Sequence, residues 1–269
     1  MKIAFICVNY NNFEYTKLFI ESLERQIGFG KIYSPSCYVV DNSDIVEDSI
    51  SCLQIVSQNK WCKYLRPEKN DGYFGGLNYA LLNLPVGEFF AVVICNNDLI
   101  FSSDFCLELL RLNFDKNVFV LCPDVITKDG YHQNPHLLNP MSYLKKFVLG
   151  MYFYNFSISI VLSAVLKFFR PVKKPKIVPL IQCEIYMGIG ACYVLTGSFF
   201  INNSQLNYPH FLYGEEAYLS KQVHDKKGIL VFCPNLKVTH AESAALSRLP
   251  KRETYEFARS GFKQYRKYL

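Results

Sequence analysis

Hydrophobic residues in the first half of the chain run in short, unbroken blocks, each closed by a polar cluster. Ile3 to Val8 is apolar throughout and predicts a strand covered on both faces, ending at the turn Asn9-Tyr10-Asn11-Asn12. Tyr15, Leu18, Phe19, Leu23 and Gln26 then share one helical face. Cys37 to Val40 predicts the next strand, which stops at Asp41-Asn42-Ser43-Asp44. Further strands are expected at Lys63–Leu65, Phe89–Cys95 and Val118–Cys122, with helices over Ile45–Ser57, Gly75–Leu82 and Ser103–Asn113. This alternation predicts an α/β fold with a mostly parallel sheet, whose polar residues collect at the carboxyl ends of the strands. Asn9–Asn12, Asp41–Asp44 and Asn96–Asp98 all fall at such ends, giving three polar clusters on one rim.

The pattern changes between Gly130 and Pro179. Phe147 to Leu166 carries no charge over about 20 residues, the usual length of a membrane span. Lys145 and Lys146 precede it, and Lys167, Arg170, Lys173 and Lys174 follow. A single span would put Asp98 and the later acids on opposite sides of a bilayer, so a shared site excludes one. Two readings remain: a helix or helical hairpin lying in the membrane interface, and helices buried in the core; the basic flanks favour the first. Beyond Ile185, Gly190–Leu195 reads as a strand running into Thr196-Gly197-Ser198. Phe211 to Glu216 opens a helix reaching Lys226, a strand follows at Ile229–Phe232, and then comes Val238-Thr239-His240. In the tail, Tyr255, Ala258, Phe262, Tyr265 and Leu269 line one helical face, with Lys and Arg over much of the rest.

Composition narrows the classes. Half of the 269 residues are apolar and 16% are aromatic, enough for one sizeable core and too much for extended disorder. The net charge of +6 gathers at Lys145–Lys176 and Lys251–Lys267, which points to a local surface for phosphates or anionic lipid rather than a general polyanion site. Ten cysteines include no C-x-x-C pair, and Cys7, Cys95, Cys122, Cys192 and Cys233 sit inside strand-like runs. Zinc and redox pairs are therefore not indicated, and buried, reduced thiols in a cytoplasmic protein are expected. The first eight residues are too short an apolar stretch for a signal peptide.

Three clusters can carry chemistry. Asn96-Asn97-Asp98 follows a strand, and a carboxylate there can hold Mg²⁺ or Mn²⁺ against phosphates, although the same residues also make a turn or cap. Asp41 closes the second strand, where an acid can bind a nucleotide's base or ribose or cap the next helix. Asn70-Asp71-Gly72-Tyr73-Phe74-Gly75-Gly76-Leu77-Asn78 opens a helix with glycines that let backbone N–H groups approach an anionic ligand; it is not a P-loop.

Together with Val8-Asn9-Tyr10-Asn11, Val40-Asp41-Asn42-Ser43, Gly190-Ala191-Cys192, Phe211–Glu216 and His240, these segments stand in an order and spacing that resembles family-2 glycosyltransferases. The likeness is greatest to the rhamnosyltransferase-like branch of bacterial surface polysaccharide synthesis, and it covers nearly all of the chain except Gly130–Pro179. The resemblance implies a GT-A type fold: a single Rossmann-like nucleotide-binding sheet flanked by helices, with a helical insertion and a C-terminal basic helix. It implies one domain over 1–269, with 1–125 binding the nucleotide sugar, 130–180 as the insertion, and 183–269 carrying acceptor binding and catalysis.

By the same resemblance Asp41 contacts a pyrimidine base, Asn9 lies beside it, and Asn70, Gly75, Gly76 and Asn97 line the donor site. Asp98 and His240 would hold the divalent metal, Asn96 having replaced the usual partner acid. Glu216 would be the general base and Glu215 its supporting acid. Tyr218 stands where the family has a further acid, and the arginine that follows in the family is missing. The implied reaction is inverting transfer from a UDP- or dTDP-sugar to a lipid-linked glycan of O-antigen or capsule, on the cytoplasmic face of the inner membrane, with peripheral contact through 145–176. A nucleotidyltransferase and a non-catalytic nucleotide-sugar-binding relative are the competing readings. The first usually shows a Gly-rich basic loop after the first strand, which Asn9–Asn12 lacks.

Overall fold

The apolar run at the N-terminus is an inner strand paired on both edges, and it is apolar throughout because helices cover both of its faces. The computed structural model describes residues 1–168, 176–241 and 252–269. The first half alternates β1 (Lys2–Asn9), α1 (Phe13–Glu24), β2 (Ser34–Asp41), α2 (Val46–Ser57), β3 (Cys62–Leu65), α3 (Gly72–Leu82) and β4 (Ala91–Asn96). Next come β5 (Leu99–Phe101), α4 (Phe105–Arg111), β6 (Val118–Thr127), α5 (Tyr143–Tyr152) and α6 (Phe156–Phe168). The remainder is β7 (Cys183–Ile185), β8 (Cys192–Thr196), α7 (Gly197–Asn202), α8 (Glu215–Asp225), β9 (Ile229–His240) and α9 (Arg252–Tyr265).

One mixed sheet holds these strands in the order β3-β2-β1-β4-β8-β6-β9-β5, with β7 on the same edge of β9 as β5, against its first part. The β3-β2-β1-β4 half is parallel, as the alternation predicts. The other half departs from that expectation. β8 runs antiparallel to both β4 and β6, and β5 and β7 run antiparallel to β9. The two-residue Asn97-Asp98 turn leaves no room for a crossover helix, so β5 does not extend the parallel order beside β4 but lies at the far edge against β9, while β6 and β9 run parallel to each other. The segments Ile229–Phe232 and Val238–His240 prove to be one strand, kept continuous through a register shift at Pro123/Asp124 of its partner β6. β5, β7 and α7 are too short to leave a periodic signal.

Side chains along β1 alternate between two cores. Ile3, Phe5 and Cys7 pack with α1, α2 and α4; Ala4 and Ile6 pack with α3, α7 and α8. The face of α1 that meets the sheet is Thr16, Phe19, Ile20 and Leu23, and Leu18 remains 39% exposed, so the helix is rotated from the expected face. All ten cysteines are unpaired thiols. Cys7, Cys95, Cys122, Cys192 and Cys233 are buried, and burial pushes these thiols up, away from thiolate chemistry.

The apolar run Phe147–Leu166 is not one helix. It breaks at Phe153-Tyr154-Asn155, where the Asn155 side chain accepts the Ile158 N–H at 2.9 Å and starts α6. Among the described residues no helix is long and apolar enough to cross a membrane. The inner side of this hairpin and α9 enclose a third, smaller core in which Leu149 and Phe153 meet Met187, Ala217 and Phe262. Arg170, Lys173 and Lys174 of the expected basic flank, and Lys251 of the tail, lie outside the described residues.

The two faces of α1 differ enough to test by denaturant unfolding. Phe19→Ala should cost about 3–5 kcal/mol, whereas Leu18→Ala should stay within about 1 kcal/mol; equal losses would put the helix in the wrong rotation.

Candidate active site

The carboxyl ends of β1, β2 and β4 meet beneath a cavity of about 440 Å³. Tyr10 and Asn12 line it from the turn after β1, Asn42 from the turn after β2, and Asn70, Gly72 and Tyr73 from the start of α3. Asn96, Asn97 and Asp98 form its floor, and Phe211 and Leu212 close it from the other half of the chain. Gly72 has φ +79°, and a Cβ there would sit 2.0 Å from the Phe211 carbonyl oxygen; only glycine fits between the two loops.

Not every expected donor-site residue faces this space. Asn9 is fully buried below it: its amide nitrogen lies 3.0 Å from Asp41 Oδ1, 2.9 Å from Ser43 Oγ and 2.8 Å from Asp48 Oδ2, and its Oδ1 accepts from Thr16 and Asn97. Asp41 also points inward. Tyr64 donates to its Oδ2 at 2.6 Å and Arg66 pairs with the same oxygen at 2.5 Å. Burial alone would raise this carboxyl, but hydrogen bonds from Ser43, Tyr64, Asn9 and Ser49 outweigh it and hold the pKa at about 2. Gly75 and Gly76 are likewise outside, beside a separate depression with Lys69 and Asp71. A Cβ on Gly76 would come within 3.0 Å of Val8 and 3.2 Å of Asn42, so this glycine lets α3 approach the sheet.

Within the Asp41–Asp44 rim cluster, the residue that lines this cavity is Asn42. Its amide nitrogen donates to Asn70 Oδ1 at 3.0 Å and to the Gly72 carbonyl at 3.2 Å. Its Oδ1 is buried with no hydrogen-bond partner among the described residues, and the same holds for Oδ1 of Asp98. Two buried acceptors without donors, lining one cavity, are costly unless a ligand or ion completes them.

A second cavity of about 400 Å³ shares the walls Tyr73, Asn96 and Leu212 with the first. Gly190, Gln133, Glu215, Glu216 and His240 line it. His240, the last residue of β9, reaches back across the rim so that its Nε2 lies 2.9 Å from Asp98 Oδ2, while its Nδ1 lies 2.8 Å from Gln133 Oε1. An Nδ1–H donated to Gln133 leaves the Nε2 lone pair facing a carboxylate oxygen, which requires a proton or a cation between them. One imidazole and one carboxylate with a free oxygen suit Mn²⁺ or Mg²⁺ with remaining positions filled by water and phosphate. Among the described residues there is no cluster of three or more such ligands. Nothing in the local sequence around Gln133 signals its place beside His240.

Glu215 and Glu216 begin α8, where negative charge is favoured by the helix dipole. The turn before them holds Tyr213 and Gly214 at φ +70° and +102°, and a Cβ on Gly214 would strike the Tyr265 ring. Glu216 Oε1 accepts the Gly190 N–H at 3.2 Å. Glu215 is buried; burial first, and the Glu216 charge second, push its pKa to about 7. Tyr218 lies 3.0 Å from His210 Nε2 through its hydroxyl.

The profile of Glycosyl transferase family 2 matches residues 4–171, more than half of the chain. The chain belongs to that family. No curated protein matches its sequence. Its fold is that of the GT-A glycosyltransferases, seen in solved structures of low identity. GalNAc-T7, solved with UDP, GalNAc and Mn²⁺, is 13% identical with a TM-score of 0.58 over 89% of this chain and 44% of its own. TarS from S. aureus is 15% identical, with a TM-score of 0.57 over 90% of this chain and 37% of its own. The mannosyltransferase PcManGT from Pyrobaculum calidifontis, solved with GDP-Man and Mn²⁺, is 10% identical, with a TM-score of 0.56 over 91% and 58%. The chain thus spans between about a third and three fifths of these proteins.

The two perturbed acids give opposite pH signatures. Asp41 is held at about 2, below its ordinary 3.8, so its stabilisation is full above pH 4 and fades as pH falls towards 2. Glu215 is raised from 4.5 to about 7, so stability falls as pH rises through that window. Melting curves across pH should therefore lose the acid limb in Asp41→Asn and lose the decline between pH 4.5 and 7 in Glu215→Gln. Unchanged profiles would contradict the two environments. Arg66→Ala, which leaves Asp41 buried without its cation, should cost about 1–3 kcal/mol in urea unfolding at pH 7.

Proposed function

We propose that this chain is an inverting glycosyltransferase that moves a sugar from a UDP- or dTDP-sugar to a hydroxyl of a lipid-linked glycan, in bacterial O-antigen or capsule synthesis. The observation that carries the reading is the pair of adjoining cavities, with Asp98 on the first, Glu216 on the second and His240 bridging the two. Residues 1–125 then bind the donor, and 183–269 supply the acceptor side and the base. The unpartnered Asn42 carbonyl suits the ring N–H of a uracil or thymine, and the Asn70–Tyr73 backbone faces the diphosphate.

In this reading Glu216 takes the proton from the acceptor hydroxyl as that oxygen attacks the anomeric carbon, and the nucleoside diphosphate leaves with the bonding electrons. The Gly190 N–H holds the Glu216 carboxylate toward the second cavity. Glu215, near neutrality between its two forms, hydrogen-bonds the acceptor or shares charge with Glu216. Asp98 and His240 would hold the divalent ion, with Gln133 fixing the His240 ring. When bound, the ion supplies compensation for the charge that develops on the diphosphate. The chain works at the cytoplasmic face of the inner membrane, touching it through 145–176.

Incubation with Mn²⁺ and a panel of nucleotide sugars should release nucleoside diphosphate, at least by slow hydrolysis. Glu216→Gln should lower transfer by about 10²–10⁴-fold with donor affinity nearly unchanged, and transfer at the wild-type rate would remove Glu216 from its role. Calorimetry on Asp98→Ala should show donor affinity that no longer responds to Mn²⁺; an intact Mn²⁺ response would place the ion elsewhere.

A further inference from the structure

The α5–α6 hairpin turns an apolar face to solvent. Tyr143, Phe147 and Met151, spaced at i, i+4 and i+8 on α5, are 91%, 66% and 43% exposed. Leu144 is 73% exposed beside them, and Val161 is 63% exposed on α6. Isolated apolar residues on a surface are ordinary, but a stripe along one helix face is not. The opposite side of the hairpin is committed to packing, since Leu149 and Phe153 sit in the third core and Arg259 of α9 donates to the Phe153 carbonyl at 2.9 Å. The exposed stripe is therefore held outward by the fold. Next to it lies an apolar groove of about 410 Å³ between Met141, Val148, Tyr152 and Leu162.

Charge identifies the occupant. Between Asp129 and Glu184 the sequence has no acidic residue, and Lys145 and Lys146 stand on α5 beside the stripe, whereas Lys176 is engaged by the Gln133 and Pro135 carbonyls. A second copy of the chain meeting this face about a two-fold axis would oppose like charges with no acid in the segment to offset them. A bilayer with anionic headgroups accepts both the apolar stripe and the cations. The ten residues of α5 and thirteen of α6 reach only about 15 and 20 Å, short of the ~30 Å hydrocarbon core, so the hairpin lies along the surface rather than across it.

We infer that the α5–α6 hairpin is a docking face for an anionic phospholipid membrane, with Tyr143, Leu144, Phe147 and Val161 inserted at the headgroup level. Ala217, directly after Glu216, packs in the same core as the hairpin's inner side, so docking fixes the orientation of the helix that begins with the two acids. The docking stands on the exposed face alone; its purpose, bringing a lipid-linked acceptor to Glu216, rests on the transfer reading above.

The test is flotation of the full chain with vesicles of phosphatidylcholine alone and of an equal mixture with phosphatidylglycerol. The protein should float with the mixed vesicles and at least about tenfold less with phosphatidylcholine alone. A Leu144→Ser/Phe147→Ser/Val161→Ser variant, altered only at exposed positions, should lose flotation by about tenfold or more with its melting temperature and nucleotide-sugar hydrolysis retained. Absence of flotation, equal flotation by the variant, or a concentration-dependent dimer that the variant loses without any flotation would overturn the proposal. Flotation by a protein that hydrolyses no nucleotide sugar would uphold the docking and remove the transfer reading instead.

Discussion

The rim of the sheet depends on one buried side chain. Asn9 ends β1, and its amide group reaches Asp41 and Ser43 at the end of β2, Asp48 on α2, Thr16 on α1 and Asn97 after β4. Hydrogen bonds of this kind are strong only away from water and only when every group is satisfied. Here they join three strand ends and two helices at a single point. Arg66 and Tyr64 complete the Asp41 carboxylate from the β3 side. The first cavity rests on this lattice, so Asn42 and Asn97 face it from fixed positions.

Above the lattice, the polar groups are left incomplete. Asn42 and Asp98 each keep a buried oxygen without a donor, and His240 faces Asp98 across 2.9 Å. Beside the fully satisfied network of Asn9 and its five partners, two such open valences lining one cavity mark where a ligand can supply what is missing.

Two neighbouring glutamates illustrate how environment divides labour. Both begin α8 and line the second cavity, yet Glu215 is buried and pushed to about 7 while Glu216 accepts a backbone N–H from Gly190. Their positions follow from the turn before them, where only a glycine at position 214 leaves room for the ring of Tyr265, the last residue of α9. The α5–α6 hairpin and α8 thus share one small core.

Apolar blocks such as Ile3–Val8 and the clusters that close them were enough to place β1 to β4, α1 to α3 and the polar rim, because alternation and turn chemistry are local properties. The ordered motifs also singled out Asp98, His240, Glu215 and Glu216, all of which line the two adjoining cavities. What local pattern does not encode is the direction a rim side chain takes. Asp41 and Asn42 are adjacent in sequence, but pairing with Arg66 turns the first inward and leaves the second at the cavity. Gln133 meets His240 across 107 residues, and β8, from the second half of the chain, inserts antiparallel between β4 and β6. These were decided by long-range packing and by where buried charge finds its partner, which no stretch of chain specifies alone.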